Sequence, residues 1–194
     1  WVGVAAIAFT LQTNGTLVNA RIEYPEDQQH KYQSSVMTLS LLFFLLCSGV
    51  TIAFLPQVSA LLKLHWVLIL LILFHSFGSY CVNFLNSKFT YEFKADRNMY
   101  VSVGITLSTI VLSVILILLM PAHINYYGRV LALALVYGGM GIGVCTYVLL
   151  KGKTFYNKEY WTLALTLALP VVFYSLSDLA LGQCDRVMLQ QMMN

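Results

Sequence analysis

Six apolar segments occupy most of the chain, at residues 1–20, 35–55, 64–85, 99–120, 127–150 and 161–182. In helical form, about 20 such residues cross the roughly 30 Å hydrocarbon core of a bilayer. Arg129 and Asp178 are the exceptions to their lack of acidic and basic side chains. Without water at that depth, each backbone group needs a partner inside the protein, so the segments read as helices. The alternating stretches of a membrane β-barrel are absent. The predicted fold class is an all-α, polytopic helical membrane bundle. A soluble domain is excluded by composition, with 59% hydrophobic and 10% charged residues, against about half and about a quarter in soluble proteins.

The charges that remain set the expected orientation. Arg21, Lys31, Lys88, Lys94, Arg97, Lys151, Lys153 and Lys158 fall on one side of this topology; Lys63, Arg129 and Arg186 fall on the other. The richer side is expected in the cytoplasm. The bases are too few and scattered for a nucleic-acid surface. Trp66, Tyr100, Tyr126, Tyr127, Tyr160 and Trp161 lie at span ends, where an aromatic belt belongs. Residues 56–63 and 121–126 read as short outer loops. Residues 86–98 read either as a surface-lying amphipathic helix or as a solvated loop. Residues 1–13 read as a span whose beginning is missing, and the chain as a fragment of a longer protein. Cys47, Cys81, Cys145 and Cys184 form neither a CxxC pair nor a Cys/His cluster, so no metal site is expected.

Individual residues within the spans carry the chemistry. Gly138-Gly139-Met140-Gly141-Ile142-Gly143 is not a nucleotide-binding fingerprint. Gly139 and Gly143 form a GxxxG pair, which suits close helix packing or a deformable stretch. Pro170 removes a backbone hydrogen bond inside the sixth span and is read as a kink or a moving element. Asp178 is the acid within a span, read as an ion or proton site or as a partly solvated group near a helix end. His75, central in the third span, reads as a hydrogen-bonded neutral imidazole or a proton relay. Asn14-Gly15-Thr16 matches a glycosylation sequon but falls within the first span and is discounted. No Ser/His/Asp grouping, HExxH, P-loop or paired carboxylates at helical spacing is present, so the chain is not read as an enzyme and no cofactor is expected.

The stretch 169–189 carries a resemblance. Leu169-Pro170, Ser175-Leu176-Ser177 and Asp185-Arg186-Val187-Met188 resemble the signature of the bacterial polysaccharide, or O-antigen, flippases of the Wzx type, within the MATE-like multidrug/oligosaccharidyl-lipid/polysaccharide exporters. Gly15-Thr16, Arg21 and Tyr24, and Tyr127-Gly128-Arg129-Val130, are similar to further parts of that pattern. Tyr174 stands where a His is frequent and Asp178 where a Gly is frequent. The resemblance implies a two-lobe transporter, with residues 1–160 holding first-lobe helices and residues 161–194 the first helix of the second lobe. It implies a place in the bacterial cytoplasmic membrane and a lipid-linked oligosaccharide as substrate. That substrate, carried on undecaprenyl pyrophosphate, would be flipped between leaflets by alternating access. Polysaccharide polymerase and chain-length machinery would be partners, beside the membrane lipids. Arg129, Arg186 and Arg21 are then the expected anionic contacts and Asp178 the ion-coupling group. Pro170, Gly139 and Gly143 are the expected gating or kink positions.

Two other functions remain open on the sequence. A MATE-type drug exporter would carry acids facing the cavity of its first lobe, and the first five spans carry no internal Asp or Glu. A membrane-embedded glycosyl- or acyltransferase would show a catalytic His, Asp or Arg set in a loop.

Overall fold

The computed structural model describes residues 6–7, 9–62, 64–120 and 125–192, apart from the side chains of residues 27, 61–62, 125–126 and 183–192. A 3-10 turn at Thr13–Thr16 is followed by α1 (Leu17–Glu23), α2 (Glu26–Ala53), α3 (Leu55–Leu62), α4 (Trp66–Tyr91), α5 (Ala95–Leu119), α6 (Asn125–Gly152) and α7 (Lys158–Met192). There is no strand among the described residues. Among the described residues, five stretches are long and apolar enough to cross a membrane: Gln28–Ala53, Trp66–Tyr91, Ala95–Leu119, Tyr127–Gly152 and Lys158–Gly182.

Local chemistry fixes the helix ends. Pro25 precedes α2 and lacks the N–H that would join it to α1. Asn157 opens α7 by accepting from the Glu159 N–H at 3.0 Å. Asp96 and Glu159 sit in first turns, Lys88 and Lys151 in last turns. Each charge opposes the partial charge of its helix end. Phe93 and Lys153, at φ 55 and 51, turn the chain out of α4 and α6.

The bundle is organised around α6, which packs against α4, α5 and α2. Its crossing with α4 is set by glycine. A Cβ on Gly78 would lie 2.2 Å from the Tyr137 carbonyl, and one on Gly141 would lie 2.6 Å from the Gly78 Cα. A Cβ on Gly138 would lie 2.1 Å from the Phe74 ring. At its far end α6 meets α2, where a Cβ on Gly152 would lie 2.2 Å from the His30 carbonyl. Val36, Met37, Tyr80, Phe84, Val148 and Ala164 form part of the core between these helices. Helix α7 packs on α2 and on the 3-10 turn. Of α5, Ile105 alone is buried. The rest of that helix presents Leu107, Ile110, Val114 and Leu118 outward, as a lipid-facing helix does.

Several expectations are corrected. Residues 1–20 are not one helical span: the helix through residue 10 stops at Leu11 and Gln12, whose φ values are 57 and 47. Residues 86–98 are neither a surface helix nor a loop. They are the end of α4, a tight turn at 92–94 and the start of α5. Hydropathy drops at Lys88, but the helix continues because Lys88 pairs with Glu92 one turn on, at 4.0 Å, and lies over the Tyr147 ring. Residues 56–63 are largely the short helix α3, and residues 121–124 lie outside the described residues. The close glycine contact belongs to Gly138 and Gly141. Nothing lies within 4 Å of a Cβ on Gly139 or Gly143. Tyr160, at its span end, is packed inside the bundle, and Trp161 donates to the Ser35 carbonyl at 3.1 Å.

Gly78→Ala forces backbone apart and is expected to cost about 2 kcal/mol. Gly139→Ala, entering open space, leaves stability unchanged or raises it. Thermal unfolding of the full-length protein in detergent separates the two; equal losses would show that the α4–α6 crossing does not depend on Gly78.

Candidate functional site

The break in the first apolar segment is buried and tied down by hydroxyls. The Thr13 hydroxyl lies 2.6 Å from both the Ser40 and the Tyr80 hydroxyls. Tyr32 donates to the Thr16 hydroxyl at 3.0 Å, and that hydroxyl donates to the Thr13 carbonyl at 2.8 Å. All five side chains are buried. Ser40 is at the middle of the 26-residue span Gln28–Ala53, so the break lies near mid-membrane. Irregular backbone survives at such depth only where protein or a water-filled cavity covers it. Two consecutive non-glycine residues in the left-handed region cost about 1–3 kcal/mol each, and the hydroxyl network holds them there.

A second irregularity faces the first. Pro170 lies at the middle of the span Lys158–Gly182. Its missing N–H leaves the Thr166 carbonyl without a helical donor. The neighbouring Val171 sits 3.8 Å from where a Gly15 Cβ would be, so α7 bears on the 3-10 turn beside its own weak point. α7 nevertheless stays helical through Pro170.

A cleft leads toward this place. It has a volume of about 460 Å³ and lies between the end of α1 and the first turns of α7. Glu23, Tyr24, Lys158, Glu159, Thr162 and Thr166 line it. Thr162 and Thr166 stand one turn apart on the face that continues to Pro170. Carboxylates, hydroxyls, an ammonium and an aromatic ring on an apolar wall suit a hydroxyl-rich ligand. The Tyr24, Tyr32 and Tyr160 rings, with centroids 5.1–5.7 Å apart, brace its base.

Next to it, at the same end of the bundle, is a polar cleft of about 280 Å³ lined by Arg21, Glu26, His30, Glu92, Lys94 and Lys151. The ends of α1, α4 and α6 and the starts of α2 and α5 meet here. Burial opposes ionisation of Glu92, but the Lys94 hydrogen bond and the charges of Lys88, Lys94 and His30 outweigh it. Its carboxyl is therefore held below the usual 4.5.

The expected site residues are spread over this frame. Arg21 edges the polar cleft, where it donates to the Tyr91 carbonyl and lies 5.8 Å from the Phe93 ring centroid. It thereby ties α1 to the end of α4. Arg129 is exposed near the opposite end of α6, about 33 Å along the helix from Lys151. Arg21 and Arg129 are not brought together. Asp178 is exposed on α7, about 30 Å along the axis from Lys158. The side chain of Arg186 lies outside the described residues. His75 stacks on Tyr137 of α6, with ring centroids 4.9 Å apart. The sequence reading missed the hydroxyl network. Its trace was the spacing Thr10, Thr13, Thr16 in one apolar segment, with Ser40 and Tyr80 buried opposite.

Tyr80→Phe is expected to cost about 1 kcal/mol, and Thr13→Val about 1–3 kcal/mol because it strands the Tyr80 hydroxyl. Combined, they cost less than their sum, and strict additivity in unfolding measurements would refute the shared bond. Glu92 has a depressed value in the fold, so its contribution to stability is present at neutral pH and lost as pH falls below about 4.5. Glu92→Gln flattens that acid limb of a Tm-versus-pH curve; an unchanged limb would refute the assignment.

No curated protein and no solved structure matches the chain. The sequence model of one family, described as polysaccharide biosynthesis protein, matches residues 1–194. With five apolar helices around a break at mid-membrane, this multi-pass membrane protein belongs to that polysaccharide biosynthesis family, the family of Wzx-type flippases and MATE-like exporters.

Proposed function

We propose that this protein translocates an undecaprenyl-pyrophosphate-linked oligosaccharide across the bacterial cytoplasmic membrane for surface polysaccharide export. The observation that carries the reading is the cleft of about 460 Å³ that runs from the polar end of α7 toward Pro170 and the facing break at Thr13–Thr16. A saccharide offers hydroxyls to Glu23, Glu159, Thr162 and Thr166 and a ring face to Tyr24. Paired irregularities at the same depth give the two elements a place to bend, and discontinuous helices near the midplane are where transporters bind and gate.

In this reading the family membership supplies the polysaccharide role, and the cleft supplies the end that takes the glycan. Arg129 and Arg186 are proposed contacts for the pyrophosphate, reached at a later stage of transport than the cleft. Arg21 is proposed to hold the polar entrance. Asp178 is proposed for ion coupling, and Pro170 for the bend. Gly139 and Gly143 keep one face of α6 free of side chains. Polymerase and chain-length proteins are the proposed partners, and no chemical step on the substrate is assigned to the chain.

Disruption of the full-length gene in its host tests this. The expected outcome is build-up of complete lipid-linked oligosaccharide in the inner membrane with loss of surface glycan, both restored by the intact gene. Glu159→Gln with Thr166→Val is expected to lower surface glycan several-fold at equal protein level. Failure of the precursor to form would place the protein at an earlier, enzymatic step. Unchanged pools would refute flipping and favour a drug exporter.

A further inference from the structure

Away from the cleft between α1 and α7, helices α4, α5 and α6 leave two apolar clefts on the half of the bundle nearest its basic end. One, of about 290 Å³, is lined by Phe89, Arg97, Gly139, Gly143, Val144 and Tyr147 among others. The second, of about 280 Å³, is lined by Tyr100, Gly104, Ile105, Ser108, Val136 and Met140 among others. Met140 lines both, so they are neighbours on either side of it. From Tyr147 to Gly139 the first runs about 12 Å along α6. That is close to the ~15 Å depth of one leaflet's hydrocarbon.

Charge identifies what fits there. Arg97 stands at the mouth, exposed, in the first part of α5. Among the described residues the ion pairs are Lys88–Glu92 and Lys94–Glu92, so Arg97 has no carboxylate partner. A guanidinium at the headgroup level above two apolar arms is complementary to a phosphate carrying two acyl chains. Gly139, Gly143 and Gly104 have no atom within 4 Å of a Cβ, so the floors of both arms are open.

We propose that this surface is a specific site for one anionic phospholipid of the leaflet at the basic end. Its phosphate is held by Arg97, and its acyl chains lie in the two clefts that flank Met140. The site is independent of which substrate the protein transports. It binds a resident lipid that seals α5 onto α6, the helix through which α5 is attached to the bundle.

Full-length protein, purified in detergent and delipidated, is titrated with phosphatidylglycerol or phosphatidylcholine, and lipid adducts are counted by native mass spectrometry. Wild-type protein is expected to prefer phosphatidylglycerol about fivefold, the factor one cation gains at an anionic membrane surface. Arg97→Gln removes that preference. Gly143→Leu fills the floor of one arm and lowers adducts of both lipids. A Cβ at Gly143 meets no atom within 4 Å and Arg97 is in neither ion pair, so Tm without added lipid is expected to stay that of the wild type; if Gly143→Leu lowers it, Arg97→Gln alone decides. Retained preference in Arg97→Gln overturns the proposal. A Gly143→Cys variant that crosslinks to a second copy, or to another segment of the chain, also overturns it, because the surface is then covered by protein.

Discussion

At Gly78 two helices approach so closely that no side chain fits between them. A Cβ there would meet the Tyr137 carbonyl at 2.2 Å. Lipid gives apolar helices no reason to associate, so dispersion at short range has to hold them, and glycine permits the short range. The rest of the bundle follows. With α4 and α6 locked, Tyr80 and Cys81 on one and Val144, Cys145 and Val148 on the other close the core around them. Tyr80 then points its hydroxyl at Thr13, which settles where the broken segment sits.

The hydroxyl network is small but decisive in its setting. In a low-dielectric interior, an unmatched hydroxyl is costly and a matched one is correspondingly firm. Thr13, Ser40 and Tyr80 satisfy one another across three elements that are distant in sequence. They hold a left-handed turn that lacks glycine at its two strained positions. The opposing helix contributes a proline, so both sides of this contact lack the regular ladder that makes a membrane helix stiff. Both irregularities thereby lie at one depth, while α4 and α6 are regular helices in direct backbone contact at Gly78.

Much of the architecture was legible in the sequence. The last five apolar segments became five helices of spanning length, because apolar runs of about 20 residues with at most one charge have few other options in lipid. Their ends were less legible. Lys88 reads as a loop residue by hydropathy, yet its stem packs in the core and its ammonium finds Glu92 and the Tyr147 ring. At the break itself neither Leu11 nor Gln12 favours positive φ; the nearby Asn14-Gly15 pair is the one local turn signal, and long-range hydroxyl contacts hold the break in place. Among the glycines, composition showed a cluster in α6 but not its rotation. Gly138 and Gly141 face α4, while Gly139 and Gly143 are turned away. The cleft between α1 and α7 was hidden for a related reason: Glu23 and Thr166 are far apart in the chain and line one cleft only when α7 folds back beside α1.

Helix α5 buries Ile105 and little else. Its outward face answers to solvent preference alone, while the face on α6 meets that helix closely, as at Gly128, where a Cβ would lie 3.3 Å from the Leu116 and Ile117 backbone. The outward face can drift among apolar residues, whereas α6 is held to particular small residues at particular turns. Divergent members of such a lineage would therefore keep the glycine pattern of α6 long after α5 had become unrecognisable, and an alignment anchored on α5 would lose the register of everything after it.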